Sequence, residues 1–246
     1  MNETLQVMQN HRSIRSYQDK AIPEELIQSV LTSVQHMPTS INGQQVSVIV
    51  VQDKAKKKAI SEIAGGQPWI AQAPVFLVFV ADFYKTNIGA QIEGNTQVIH
   101  ESIEGTVVGV FDAGIAMGAA IVAAESLGLG IVPIGGIRAN PKEMIKLLNL
   151  PLYTFPVAGL VMGFPADTSH LKPRLPLVTF VHRETYQTEH LTEQIKAYDE
   201  TMKAYYAERG DDKQTTWSKQ VSGTYKYVYF PKVYPSMKSQ GFDNDK

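Results

Sequence analysis

The 246-residue chain contains no cysteine. Disulfides, thiolate nucleophiles and cysteine-bound zinc or iron–sulfur centres are therefore excluded. Charge of one sign is not in surplus either. The chain has 23 Lys and Arg against 24 Asp and Glu, a net charge of −1, so the bulk balance suggests neither nucleic acid nor an acidic membrane surface. The histidines, His11, His36, His100, His170, His182 and His190, show no metal-ligand spacing. There is no G-x-S-x-G nucleophile elbow and no P-loop. Residues 1–10 are mixed polar and lack the apolar core of a signal peptide, which points to a soluble, cytoplasmic protein.

Long apolar runs are nearly absent, with one exception at residues 107–124. That stretch approaches the length of a membrane span. Asp112 interrupts it, however, Glu125 follows it directly, and it is rich in Gly and Ala. Gly105 with Gly109, and Gly114 with Gly118, are four residues apart, so each pair shares one helix face and permits close backbone approach. The spacing predicts a long central or interface helix over about 104–127, ended by Gly128-Leu129-Gly130.

Around it, periodicity and turn residues predict helices at 3–10, 22–36, 53–63, 141–148 and 191–206. Strands are predicted at 46–51, 74–81, 131–136 (interrupted by Pro133) and 155–163. Residues 38–43 read as a loop, and the tail from Gly210 is polar, then aromatic-rich. No internal repeat is present. The order of elements is that of an α+β fold with one core.

Four constellations carry possible chemistry. His11-Arg12-Ser13-Ile14-Arg15 places three potentially cationic groups and a hydroxyl within five residues, which suits a phosphate or an ordinary solvated turn. In Lys172-Pro173-Arg174, an extended segment stiffened by proline would point two cations to one side, as a clamp for one anion; taken alone the stretch reads rather as a surface loop. Thr39, Ser40, Asn42 and Gln44 offer uncharged donors and acceptors, which suit the edge of a heteroaromatic ring and equally an ordinary connection. The glycines at 128, 130, 135 and 136 do not form a dinucleotide fingerprint, because a helix precedes them and a strand follows. Gly135-Gly136 instead lets the backbone approach a flat ligand.

In this order, the constellations resemble the nitroreductase/flavin reductase superfamily, in its NADPH-dependent FMN oxidoreductase branch. The resemblance rests on 11–17 (HRSIRSY), 65–67 (GGQ) before 71–73 (AQA), and 123–130 (AAESLGLG). It continues through 134–138 (IGGIR), 163–167 (GFPAD) with 171–176 (LKPRLP), 205–210 (YYAERG) and 216–218 (TWS), and so spans nearly the whole chain. It implies a central mixed or antiparallel sheet flanked by helices with a long buried helix. It also implies a domain-swapped type of homodimer, in which residues 1–246 form a single domain with 185–246 as a C-terminal excursion.

The resemblance further implies bound FMN in a groove at the subunit interface. His11, Arg12, Ser13, Lys172 and Arg174 would serve its phosphate, and Arg15 the pyrimidine edge. Thr39, Ser40, Ile41 and Gln67 would contact the ring or ribityl chain, and Ile134, Gly135 and Gly136 the N5 side. NADPH or NADH would give hydride to flavin N5 in ping-pong fashion, and nitroaromatics, quinones or free flavin would take it up. No catalytic side chain and no metal are expected, since the cofactor carries the chemistry. Arg209 and Lys213 are candidates for the NADPH 2′-phosphate, although Asp211 and Asp212 between them oppose an anion there. Two alternatives share the site: a flavin reductase that supplies reduced FMN to a partner, and an FMN-binding redox module without turnover. Partners are expected to be small-molecule acceptors and a second copy of the chain.

Overall fold

The computed structural model describes residues 1–211 and 213–246; Asp212, named above as opposing the nicotinamide phosphate, lies outside the described residues. The chain forms two compact units, residues 1–169 with 230–246, and residues 170–229.

The first unit contains helices α1 (Glu3–Gln9), α2 (Glu24–Gln35), α3 (Lys54–Ile63), α4 (Pro68–Gln72), α5 (Phe83–Ile92), α6 (Ile103–Ser126) and α7 (Pro141–Leu147). Its strands are β1 (Val46–Val51), β2 (Val75–Asp82), β3 (Gly130–Ile134) and β4 (Thr154–Gly163). The second unit carries α8 (Leu191–Ala207) and α9 (Trp217–Tyr225); α10 (Val233–Lys238) returns to the first. The strands form one antiparallel sheet in the order β1-β2-β4-β3.

β2 explains why the sheet lies at the centre. All eight of its residues are buried, so both faces are covered. Val75, Leu77 and Phe79 pack with α2 and α6 on one face, while Phe76, Val78 and Val80 pack with α3, α4 and α7 residues on the other. This is the period-2 alternation of a strand between two layers of helix. β3 lies at the sheet edge, which is why Pro133 stays inside it, paired with Leu160, rather than breaking it. Pro156 lies in the inner strand β4 at a register shift, where Val157 is skipped in the pairing with β2.

α6 is apolar all round, but it is not buried all round. Gly105, Gly109, Asp112, Ala113, Ala116, Ala120 and Ala124 are buried, while Ile103, Val107, Val110 and Phe111 are exposed. The glycine pairs divide in the same way. A side chain on Gly105 would strike the Ile99 carbonyl, and one on Gly109 would strike Phe83; Gly114 and Gly118 have nothing close to them. One helix among the described residues is thus long and apolar enough to cross a membrane, and a buried carboxylate of that helix faces its own protein.

The sequence reading finds every strand but misses α4, α5, α9 and α10. α5 lacks a clear apolar stripe; it starts because the Asp82 carboxylate accepts from the Tyr84 and Lys85 N–H groups. α10 is short and held mainly by tertiary packing of Met237 and Phe242 on Phe83 and Phe155.

Candidate functional site

Residues 11–17 run beside β3. Ile14 N–H donates to the Ile131 carbonyl at 2.8 Å, Ser13 bridges Ile131, and Tyr17 bridges Pro165. Gly130 leaves the space that the Ile14 side chain fills. Burial of Ile14 turns its sequence neighbours Ser13 and Arg15 away from the core. The Tyr17 hydroxyl donates to the Ile14 carbonyl at 2.6 Å, and burial pushes that phenol well above its ordinary range, so it acts as a fixed donor. His11 Nδ1 lies 2.7 Å from Glu125 Oε1 at the end of α6. Arg12 Nε and Glu125 Oε2 are buried and have no hydrogen-bond partner among the described residues. A buried N–H without a partner on a cationic group is costly unless an acceptor arrives, and an anion is the fitting acceptor.

The glycine turn follows β3 directly. Gly136 packs so closely on the Gln67 side chain and the Ala64 carbonyl that an added Cβ would lie 2.7 and 2.8 Å from them. Gln67 itself donates to the Ala64 carbonyl at 2.8 Å, and its own carbonyl accepts from Ser61 Oγ at 2.6 Å. Arg15 lies over the Trp69 ring at 5.7 Å. Segment 11–15 thus runs parallel to β3 from the end of α6, and it brings Arg15 to Trp69 on the segment that meets the Gly136 turn. The Ile134 side chain is buried in the core, so only its backbone is available to a ligand.

Loop 39–44 is held separately. Its tip, Ile41, is 96% exposed. Ile41, Asn42 and Gln44 all have positive φ, at 50°, 56° and 50°. Such backbone costs about 1–3 kcal/mol per residue and persists only where surroundings enforce it. Here Ser40 N–H donates to Asp112 Oδ2 at 3.2 Å, Gln45 Nε2 donates to the same oxygen at 2.5 Å, and Gln44 N–H donates to Thr39 Oγ1 at 3.0 Å.

In the second unit, Arg174 donates to the Lys172 carbonyl at 3.2 Å, and Tyr198 donates to the Pro173 carbonyl at 2.8 Å. Lys172 Nζ lies 5.2 Å from the Tyr206 ring centre. Burial pushes the Tyr206 hydroxyl up, but hydrogen bonds from Lys172 and Gln220 outweigh it and hold the group below its ordinary value. Arg209 stacks on Tyr205 at 3.7 Å, donates to the Tyr205 carbonyl at 2.5 Å and pairs with Glu208 at 3.5 Å. Lys213 N–H donates to Asp211 Oδ1 at 2.9 Å.

Three supporting residues carry no role in the sequence reading. Asp112 holds loop 39–44, Glu125 holds His11, and Arg138 joins the Gly135 turn to β4. Arg138 donates to the Val157 carbonyl, freed by the register shift, while its other terminal nitrogen lies 3.1 Å from where a Gly135 Cβ would be. The available signal for the two acids was their position: lone carboxylates within and at the end of an apolar helix need partners. No group of His, Asp and Glu suited to a metal occurs among the described residues. Fixed cations with a free N–H, a side-chain-free turn and a primary amide suit an anionic, flat, hydrogen-bonding ligand.

Comparison with known proteins points the same way. The nitroreductase family profile matches residues 8–164, and the profile of the nitroreductase family, C-terminal domain, matches residues 172–245. The chain is 50% identical to an FMN reductase [NAD(P)H] of Bacillus subtilis, with both chains fully covered. It is 36% identical to an oxygen-insensitive NADPH nitroreductase of Salmonella typhimurium, covering 98% of this chain and 99% of that one. The solved structure of NfrA2 from B. megaterium superposes with a TM-score of 0.97 at 48% identity over the full length of both chains.

Proposed function

The chain belongs to the nitroreductase family, and from that premise we propose that it is an FMN-dependent NAD(P)H oxidoreductase acting on nitroaromatics, quinones or free flavin. The observation that carries this reading is the buried, unpartnered Arg12 Nε beside the His11–Glu125 pair, on a segment that runs along β3 towards a side-chain-free turn. It is a donor set for a phosphate next to a surface for a ring. Bound FMN supplies the two-electron relay between a reduced nicotinamide and the acceptor.

The residues supply position and electrostatics. His11, Arg12 and Ser13 hold the phosphate. Arg15, kept over Trp69, presents positive charge to the pyrimidine edge. Gln67 and the backbone of residues 134–136 face the ring, as do Thr39, Ser40 and Ile41. Arg209 and Lys213 receive the 2′-phosphate of NADPH, which makes NADPH the preferred donor; equal kcat/KM for NADPH and NADH would sink that preference.

The working form is a homodimer. Asp112, which holds loop 39–44, and Glu125, which holds His11, are 13 residues apart on α6, about 20 Å along its axis. The loop of one copy therefore serves the site of the other more readily than its own. The exposed face of α6, with open Gly114 and Gly118, suits a second copy of that helix.

The test is the visible spectrum of the desalted protein before and after anaerobic NADPH. Near-stoichiometric flavin that bleaches supports the reading. Colourless protein that still oxidises NADPH on addition of free FMN favours a shuttling flavin reductase, as the name of the Bacillus subtilis relative suggests. Colourless, inactive protein rules both out.

A further inference from the structure

Asp112 is a buried carboxylate, 2% exposed, in a helix that is otherwise apolar along its middle. Burying a carboxylate is expensive unless it is hydrogen-bonded. Both of its hydrogen bonds go to one segment: Ser40 N–H and Gln45 Nε2 both reach Oδ2. Gln45 is itself 3% exposed, and its amide packs against Gly43, where an added methyl would collide with it. Between these two anchors lie the three left-handed residues Ile41, Asn42 and Gln44, with Ile41 almost fully exposed at the tip. A strained loop whose ends are fixed to a buried charge is pre-organised, and pre-organisation lowers the cost of binding.

We propose that Asp112 is a positioning residue for the flavin: it clamps loop 39–45 to the central helix and so sets the place of the Thr39–Ser40–Ile41 backbone against the ring. This rests on the reading that the loop meets FMN. The acceptor oxygen matters because its bonds to Ser40 N–H and Gln45 Nε2 oppose the loop's preference for unstrained backbone, which an apolar side chain at this place would not do. Asp112 touches neither cofactor nor substrate; it acts through Ser40 and Gln45.

The test compares four variants with the parent protein. Asp112→Leu removes the acceptor at similar volume. Asp112→Asn keeps an oxygen for both donors. Gly43→Ala disturbs the Gln45 anchor without touching the carboxylate. Ala113→Gly weakens the same buried stretch of α6 with no path to the loop. Hydrogen exchange of amides 39–45 is measured on flavin-free protein, and FMN affinity is measured by quenching of FMN fluorescence. Asp112→Leu and Gly43→Ala are expected to speed exchange at 39–45 and weaken FMN binding roughly tenfold or more. Asp112→Asn is expected to stay within a few-fold of the parent. Ala113→Gly is expected to lower Tm alone.

Two results would overturn the proposal. Exchange at 39–45 that is unchanged in Asp112→Leu removes the clamp. Loss of FMN affinity that only follows Tm, equally in Ala113→Gly, reduces Asp112 to a structural residue. If exchange responds but the parent protein binds no FMN, the clamp stands, and the flavin role falls together with the site reading.

Discussion

At the scale of single residues, the proposed site is built of pairs in which one partner is offered to the ligand and the other fixes it. Glu125 is the plainest case. Its Oε1 takes His11 Nδ1 at 2.7 Å, and its side chain is only 12% exposed. A carboxylate on Nδ1 fixes the ring's orientation and leaves Nε2 as the nitrogen free to meet a ligand. Glu125→Gln is expected to weaken FMN binding roughly tenfold, since an amide supplies no countercharge. The dissociation constant read by fluorescence quenching checks this, with Tm as the control. An unchanged constant would mean that His11 is only packed against the helix.

At the scale of elements, the C-terminal segment depends on a neutral histidine. His100 is 4% exposed, packs against Tyr153 with the ring centres 4.2 Å apart and the planes tilted by 54°, and shares a hydrogen bond with Gln97 at 3.2 Å. Around it, Glu101 pairs with Lys246 and accepts from Asp245 N–H, so residues 243–246 dock beside it. Burial pushes the His100 pKa down, and Lys246 adds to this, against the opposing pull of Glu101 and Asp243. The folded state therefore binds fewer protons than the unfolded state between the lowered pKa and about 6.5. Stability is full above that range and falls as pH drops through it. Thermal melts from pH 7.5 to pH 5 should show Tm declining below about 6.5. His100→Gln should flatten that part of the curve, and an identical slope in the variant would assign it to other groups.

At the scale of the whole molecule, α6 organises everything else. One face closes the core under β2, and its two acids hold loop 39–44 and His11. Its other face, Ile103, Val107, Val110 and Phe111 with the open glycines, is exposed among the described residues. An exposed apolar stripe of this kind marks an interface. For the proposed homodimer, Phe111→Glu should give a monomer by light scattering and lower the flavin content, while far-UV circular dichroism stays that of the parent. A dimeric Phe111→Glu protein with full flavin content would place the interface elsewhere.

Local pattern determined a good deal of this by itself. Strands with strong β-branched or apolar runs, such as β1 and β2, and helices with capped starts, such as α3 behind Asp53, are set by residues close in sequence. The cationic segment 11–15 and the Gly135-Gly136 turn were visible for the same reason: their chemistry is concentrated in a few adjacent residues. Tertiary structure decided what depends on residues far apart. It brought Glu125 to His11 across 114 positions and Asp112 to Ser40 across 72, and it paired the Val157 carbonyl with Arg138. No local signal encodes such pairs, because a carboxylate in an apolar helix states only that a partner is needed. Which partner it finds is fixed by how α6 packs on the sheet.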